Sequence, residues 1–304
     1  MSDINIFEIK PKVKELKGSS VILEKEIQNL IEQNMEEFFG IRFLATEYSI
    51  TNGRMDSIGI DENNCPVIFE YKRSSSENII NQGLFYLDWL LDHKADFQLL
   101  VMNTLGKEAA KEIDWSAPCV FCIAKEFTKF DEHAVNQMQR NIKLVKYNKY
   151  GENLILFEHI NVPILKKDTI SKGKKVKQEK KASEKDNYDW ESRIQKLPKE
   201  KQELYFSIRD YILSKGDDIS ENYLKLYIAF KKVKNFICIL PDKNKKDIVM
   251  WLKLNPEEET LVEGLTRDVR TVGHWGTGDL EIIIQSKEDY EKAKIYLDRA
   301  YEKN

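Results

Sequence analysis

Between Gly53 and Lys72 the chain reads GRMDSIGIDENNCPVIFEYK, two runs of alternating apolar and polar residues separated by a short polar turn. Alternation of period two marks strands, and the Asn63-Asn64 pair within residues 61–66 supplies hairpin turn chemistry. Residues two apart on a strand share a face, so Glu70 and Lys72 project together while Val67, Phe69 and Tyr71 take the other side. On the preceding strand, expected over residues 54–60, Arg54 and Asp56 share a face in the same way. Two carboxylates and an amine gathered on paired strands can bind a hard divalent cation and orient a water toward a phosphate. The bland alternative is a half-exposed hairpin, on which charged and apolar residues also alternate.

The next segment, SSSENIINQGLFYLDWLLDH, has Ser74 and Glu77 at capping-box spacing and then apolar residues at helical intervals, from Ile79 and Ile80 to Leu90 and Leu91. It predicts an amphipathic helix directly after the second strand. Gln82 and Tyr86 lie four apart and so on one face of it. A lone helix glutamine is usually solvated, but here it begins close enough to the strand to reach the carboxylates or a phosphate.

The run GRMD, a turn, IFEYKR and then NQGLFYLDWL resembles the PD-(D/E)xK, or restriction-endonuclease-like, superfamily, and within it the branch of mismatch-specific DNA endonucleases. It is more similar still to bacterial predicted endonucleases that join this domain to a small C-terminal domain of unknown function, a resemblance covering nearly the whole chain. The resemblance implies metal binding by Asp56, Glu70 and the backbone carbonyl of Tyr71, with Mg2+ or Mn2+ as cofactor. Lys72 would activate the water or stabilise the phosphate, and Gln82 matches the family's helix glutamine. Arg54, Lys72, Arg73 and Gln82 are the implied nucleic-acid contacts. Many members add an acid from the first helix, here within SSVILEKEIQNLIEQNMEEFF, where Glu24 is the better candidate and Glu26 the alternative. Glu47, in the strand RFLATEYSI, also has a counterpart in the mismatch-nuclease branch. Two departures matter: Met55 stands where the family often has proline before the acid, and here the catalytic domain leads the chain instead of following a dimerisation domain. Mismatch specificity is therefore not carried over.

At 304 residues and 41% apolar content the chain can bury one or two cores, and two domains are expected. No apolar run approaches a membrane span, and MSDINIFEIKPK lacks a signal-peptide core, so a cytoplasmic protein without membrane association is expected. Cys119 and Cys122 form a C-x-x-C within APCVFCIA, but this reads as a buried strand, on which residues three apart face opposite ways. With only Cys65 and Cys238 besides, no structural zinc site is expected.

Further along, FQLLVM reads as a strand, residues 107–113 as a short helix, PCVFCIA as a strand, residues from Asp131 as a helix, and IKLVKYNKY and ENLILFEHI as two final strands. The expected fold is an α/β restriction-endonuclease-like sandwich with a mixed sheet over residues 1–165. Residues 166–188, dense in lysine and nearly devoid of apolar side chains, read as a flexible linker. Residues 189–304 read as a small α+β domain, with a helix at LPKEKQELYFSIRDYIL, strands at LYIAFKKVKNFICILP, DIVMWLKL and EIIIQS, and a closing helix. Its loop GHWGTGDL can hold an anion through backbone amides, but a tight turn with a packed tryptophan is the expectation. Tyr223, Tyr227 and Phe236 are expected in the core rather than stacked on bases.

Residues 1–165 carry 18 Lys and Arg against 25 Asp and Glu, about −7, which is not the basic footprint usual for tight DNA binding. Residues 166–188, with 9 basic and 4 acidic residues, are about +5 and either contact phosphates or act as a solubilising tether. The favoured expectation is a divalent-metal-dependent DNA endonuclease. A non-catalytic nucleic-acid or protein-binding module that retains the fold is the alternative, and RNA as substrate is a third. A homodimer would suit cutting both strands of a duplex.

Overall fold

The polar alternation of residues 53–72 becomes an antiparallel hairpin whose two strands lie inside a larger sheet. The computed structural model describes residues 4–19, 23–72, 78–138, 140–160, 190–242 and 247–304. The chain separates into two units, and the second takes in Glu62–Cys65 and Asp114–Ala117 along with the C-terminal part. The segment 166–188, the boundaries expected at 165 and 189, the Ser74–Glu77 capping box and Arg73 lie outside the described residues.

Unit 1 opens with β1 (Ile6–Glu8), β2 (Lys14–Leu16) and β3 (Gly18–Ser19), followed by α1 (Glu24–Gln33) and α2 (Met35–Phe39). Next come β4 (Ile41–Ile50), β5 (Gly53–Asp61), β6 (Pro66–Lys72), α3 (Asn78–Asp92), α4 (Lys94–Leu105) and α5 (Lys107–Lys111). It closes with β7 (Cys119–Ala124), α6 (Lys129–Gln137), β8 (Ile142–Tyr150) and β9 (Leu154–His159). The main sheet has the order β3-β8-β7-β6-β5-β4, with β9 also on β8. β6, β7 and β8 run parallel, whereas β4, β5 and β6 are joined antiparallel. The sheet is therefore mixed, and the fold is the α/β type expected. Phe69 stacks on Phe121 at 4.7 Å and Phe39 of α2 closes on both, forming an aromatic core on the face opposite Glu70.

Two local expectations fail. FQLLVM is not a strand but the middle of α4, where Phe97 and Val101, four apart, are buried while Leu99 and Met102 are exposed. A run of six apolar-rich residues is too short for periodicity to separate helix from strand. The first helix, expected to be continuous, breaks at Asn34, whose φ of −132° is non-helical, into α1 and α2.

Unit 2 holds α7 (Trp190–Gln195), α8 (Lys199–Leu213), β10 (Ser220–Tyr223), β11 (Ile228–Lys231), β12 (Asn235–Asp242), β13 (Asp247–Leu252), β14 (Thr266–Asp268), β15 (Leu280–Ile284) and α9 (Lys287–Lys303). Its antiparallel sheet has the order β10-β11-β12-β13-β15-β14. Ile239, Ile248, Met250, Leu252, Ile282 and Ile284 pack under α8 and α9, as strand alternation requires of one buried face. Tyr227 and Phe236 are core residues, as expected, and Tyr223 packs against the core edge. Trp275 departs from expectation: it is 58% exposed rather than packed.

Candidate active site

Asp56 and Glu70 stand just beyond the end of the β5–β6 ladder, whose pairing closes at Ser57 with Phe69. There side chains take over the role of backbone bonds. The Asp56 N–H donates to Glu70 Oε1 at 3.3 Å, and the Tyr71 N–H donates to Asp56 Oδ2 at 3.0 Å. The two carboxylates are thus clamped to each other's strand. The backbone behind Asp56 is fixed as well, since Gln28 of α1 donates to the Asp56 carbonyl at 2.8 Å. On the other face Ser57 donates to Glu32 at 2.6 Å, and its hydroxyl lies 3.2 Å from the Tyr71 hydroxyl.

Glu70 is only 2% exposed. Burial first, and then the charge of Asp56, push its carboxyl from 4.5 up to about 9, against the opposing Asp56 N–H bond and the Lys72 charge. Asp56 is raised too, chiefly by burial, with the Tyr71 N–H and Lys72 opposing and the charges of Glu24 and Glu47 adding to the rise. Two carboxylates whose proton affinities both rise are short of positive charge. The pair fits a hard cation held by two protein carboxylates with its remaining positions open to other oxygens.

Lys72 ends β6 and lies 3.6 Å from Glu24, the acid expected from the first helix. Glu24 is therefore brought to the lysine, while Glu26 accepts from the Leu23 N–H at 3.3 Å and serves its own helix terminus. Among the described residues, no group of three or more His, Cys, Asp or Glu side chains is arranged to hold a metal ion. Gln82 lies on α3 with its Oε1 buried and without a hydrogen-bond partner among the described residues. A buried acceptor left unpaired costs about 1–3 kcal/mol.

Glu47 sits in β4 between the pairs Thr46 with Ser57 and Tyr48 with Met55, so it runs alongside Asp56. Its φ of 51° is left-handed, a conformation that costs a non-glycine residue of order 1–3 kcal/mol. The side chain is held by Arg54 at 2.6 Å and Lys25 at 3.0 Å. Burial raises its carboxyl, but the Lys25 hydrogen bond and the charges of Lys25 and Arg54 outweigh this and leave it lowered. Arg54, expected to meet a phosphate, is thus oriented by Glu47. Sequence reasoning missed the bracing by Gln28 and the Tyr86 hydroxyl, which accepts from the Arg54 N–H at 3.4 Å. The four-residue spacing of Gln82 and Tyr86 was the available signal for the second of these.

A family model described as a domain of unknown function, DUF5655, matches residues 190–304. Among solved structures, a repair endonuclease from Pyrococcus abyssi is similar at 18% identity and a TM-score of 0.29, over 41% of this chain and 47% of that one. A complex of EndoMS with dsDNA is similar at 17% identity and a TM-score of 0.26, over 47% of this chain and 59% of that one. The chain thus spans about half the length of each, and TM-scores this low carry no weight for function. An uncharacterized protein of Haemophilus influenzae is 34% identical over 291 residues, which are 93% of this chain and 94% of that protein. The chain belongs to the same family as that Haemophilus influenzae protein.

Proposed function

We propose that this protein is a divalent-metal-dependent nuclease of the PD-(D/E)xK type acting on DNA. The observation that carries this reading is the charge-deficient pair of Asp56 and Glu70, clamped by the Asp56 and Tyr71 amides where β5 and β6 part, with Lys72 on the same strand as Glu70. Asp56, Glu70 and the Tyr71 carbonyl would hold the cation. What a bound Mg2+ or Mn2+ brings to such a site is charge neutralisation and a more acidic water.

The chain's own residues supply the rest. Lys72 positions the attacking water or takes up negative charge on the phosphate, and its pairing with Glu24 keeps the ammonium at the site. Arg54, held by Glu47, offers a fork of N–H donors to a neighbouring phosphate. Gln82 has an acceptor free to receive a hydrogen bond from an ordered water.

The test is a cleavage panel of single-stranded DNA, duplex DNA, mismatched DNA and RNA with Mg2+ or Mn2+, wild type beside Lys72→Ala. The reading expects metal-dependent scission of at least one DNA form that chelation stops and Lys72→Ala lacks. Cleavage equal in the two proteins, or scission that survives chelation, would overturn it.

A further inference from the structure

We propose that unit 2 carries a binding site for an unpaired nucleobase, in a cavity on the sheet face turned away from α8 and α9. The cavity has a volume of about 610 Å3 and contains none of the residues of the carboxylate site. Alternation along the strands makes it: Leu240, Val249, Trp251, Glu281 and Ile283 point opposite to the isoleucines under the helices.

A buried carboxylate builds its polar wall. Trp251, Glu281 and Arg267 are cross-strand neighbours on β13, β15 and β14. Glu281, 5% exposed, accepts from Trp251 Nε1 at 3.0 Å through one oxygen and pairs with Arg267 Nη2 at 2.8 Å through the other. One acid thus fixes the plane of an indole by a hydrogen bond and holds a guanidinium at the cavity by charge, its N–H donors left to meet a ligand. Arg267 is 58% exposed even so.

The glycine-rich loop supplies the aromatic wall. Gly276 presses on Trp251 so closely that a Cβ would lie 2.6 Å from the indole, which only glycine allows. This seats His274 in a stacked arrangement on Trp251, with ring centroids 6.1 Å apart and planes at 27°. Trp275, next along, lines the cavity yet stays more than half exposed.

These features select the ligand. Aromatic faces on an apolar floor suit a flat π system, and the volume falls in the range of small-molecule sites. Arg267 presents donors to the cavity, which Asp242 also lines. An unpaired base offers its edge and both faces to such a wall, while a paired base has its edge occupied and its faces stacked. Arg267 and Glu281 neutralise each other, so the cavity has no surplus positive charge with which to capture a phosphate alone. Choosing a nucleobase among flat rings rests on the nuclease reading above; the cavity itself does not require hydrolysis.

The experiment uses the full chain in chelator, with a labelled mixed-sequence oligonucleotide offered single-stranded and as its duplex. Trp275 is exposed enough that Trp275→Ala leaves the fold intact. The expected result is tighter binding of the single strand than the duplex, weakened about tenfold or more by Trp275→Ala, largely kept by Trp275→Phe, with duplex affinity unmoved. Wild-type single-strand affinity in Trp275→Ala, equal weakening toward both probes, or no single-strand binding by the wild type would overturn the proposal. A parallel cleavage assay separates the two readings. Base binding through Trp275 without metal-dependent cleavage leaves this site standing and removes the nuclease; cleavage with unchanged Trp275→Ala affinity does the reverse.

Discussion

A carboxyl that is 2% exposed and faces a second carboxylate across two strands binds its proton more firmly folded than unfolded. Glu70 moves from 4.5 to about 9, so between those values the native state holds a proton that the unfolded state has lost. Its contribution to stability is full below the unfolded value and is lost as pH rises toward the folded one. Denaturant titrations in chelator should therefore show stability declining across that window, and Glu70→Gln should flatten the decline; an unchanged pH slope in Glu70→Gln would place the origin elsewhere. Lys72 behaves differently. Its partly exposed pairing with Glu24 at 3.6 Å is of the kind worth about 0–1 kcal/mol, so Lys72→Ala should melt within a few degrees of wild type. At this scale the sequence was informative wherever strand alternation assigns a face, which is how Asp56, Glu70 and Lys72 could be grouped. It was silent on Glu47's left-handed backbone and on the Gln28 brace, because both depend on contacts between residues far apart in the chain.

Elements position these side chains only if α3 can come close to the sheet. Gly83 lies where a Cβ would sit 2.6 Å from the Val120 Cγ1 of β7, so its hydrogen is what lets the helix seat. Gly83→Ala should destabilise by about 1–3 kcal/mol, the usual cost of overpacking, as measured by denaturant unfolding. Were the variant as stable as wild type, α3 would have room to shift and its grip on Gln82 and Tyr86 would be looser than argued. The hairpin of β5 and β6 was legible because its alternation is long and its turn residues specific; Asn64 indeed adopts a left-handed φ of 61°. α4 was not, because FQLLVM is equally apolar read as strand or helix and only burial of Phe97 and Val101 decides. The GHWGTGDL loop announced its glycines but not its exposed tryptophan, since nothing local distinguishes a packed indole from a presented one.

Over the whole molecule, charge is distributed against simple electrostatic binding. Residues 1–165 are about −7, while residues 166–188 are about +5. We expect the lysines of 166–188 to supply phosphate attraction, so that replacing them with glutamine weakens DNA binding and lowers the slope of log affinity against log salt, leaving the chemical step alone. An unchanged slope would assign that attraction to other residues. Cation binding should be just as separable. Mn2+ should raise the melting temperature of the wild type, and Asp56→Ala with Glu70→Ala together should abolish the shift. The claim on which the rest depends is that chemistry resides at Asp56, Glu70 and Lys72. Single-turnover cleavage at saturating enzyme with Mn2+ tests it most directly: Lys72→Ala should bind DNA with an affinity near that of wild type and cut at least about a hundredfold more slowly, the scale of a lost proton-transfer or charge-stabilising group, whereas a Lys72→Ala protein that cuts at the wild-type rate would contradict the account.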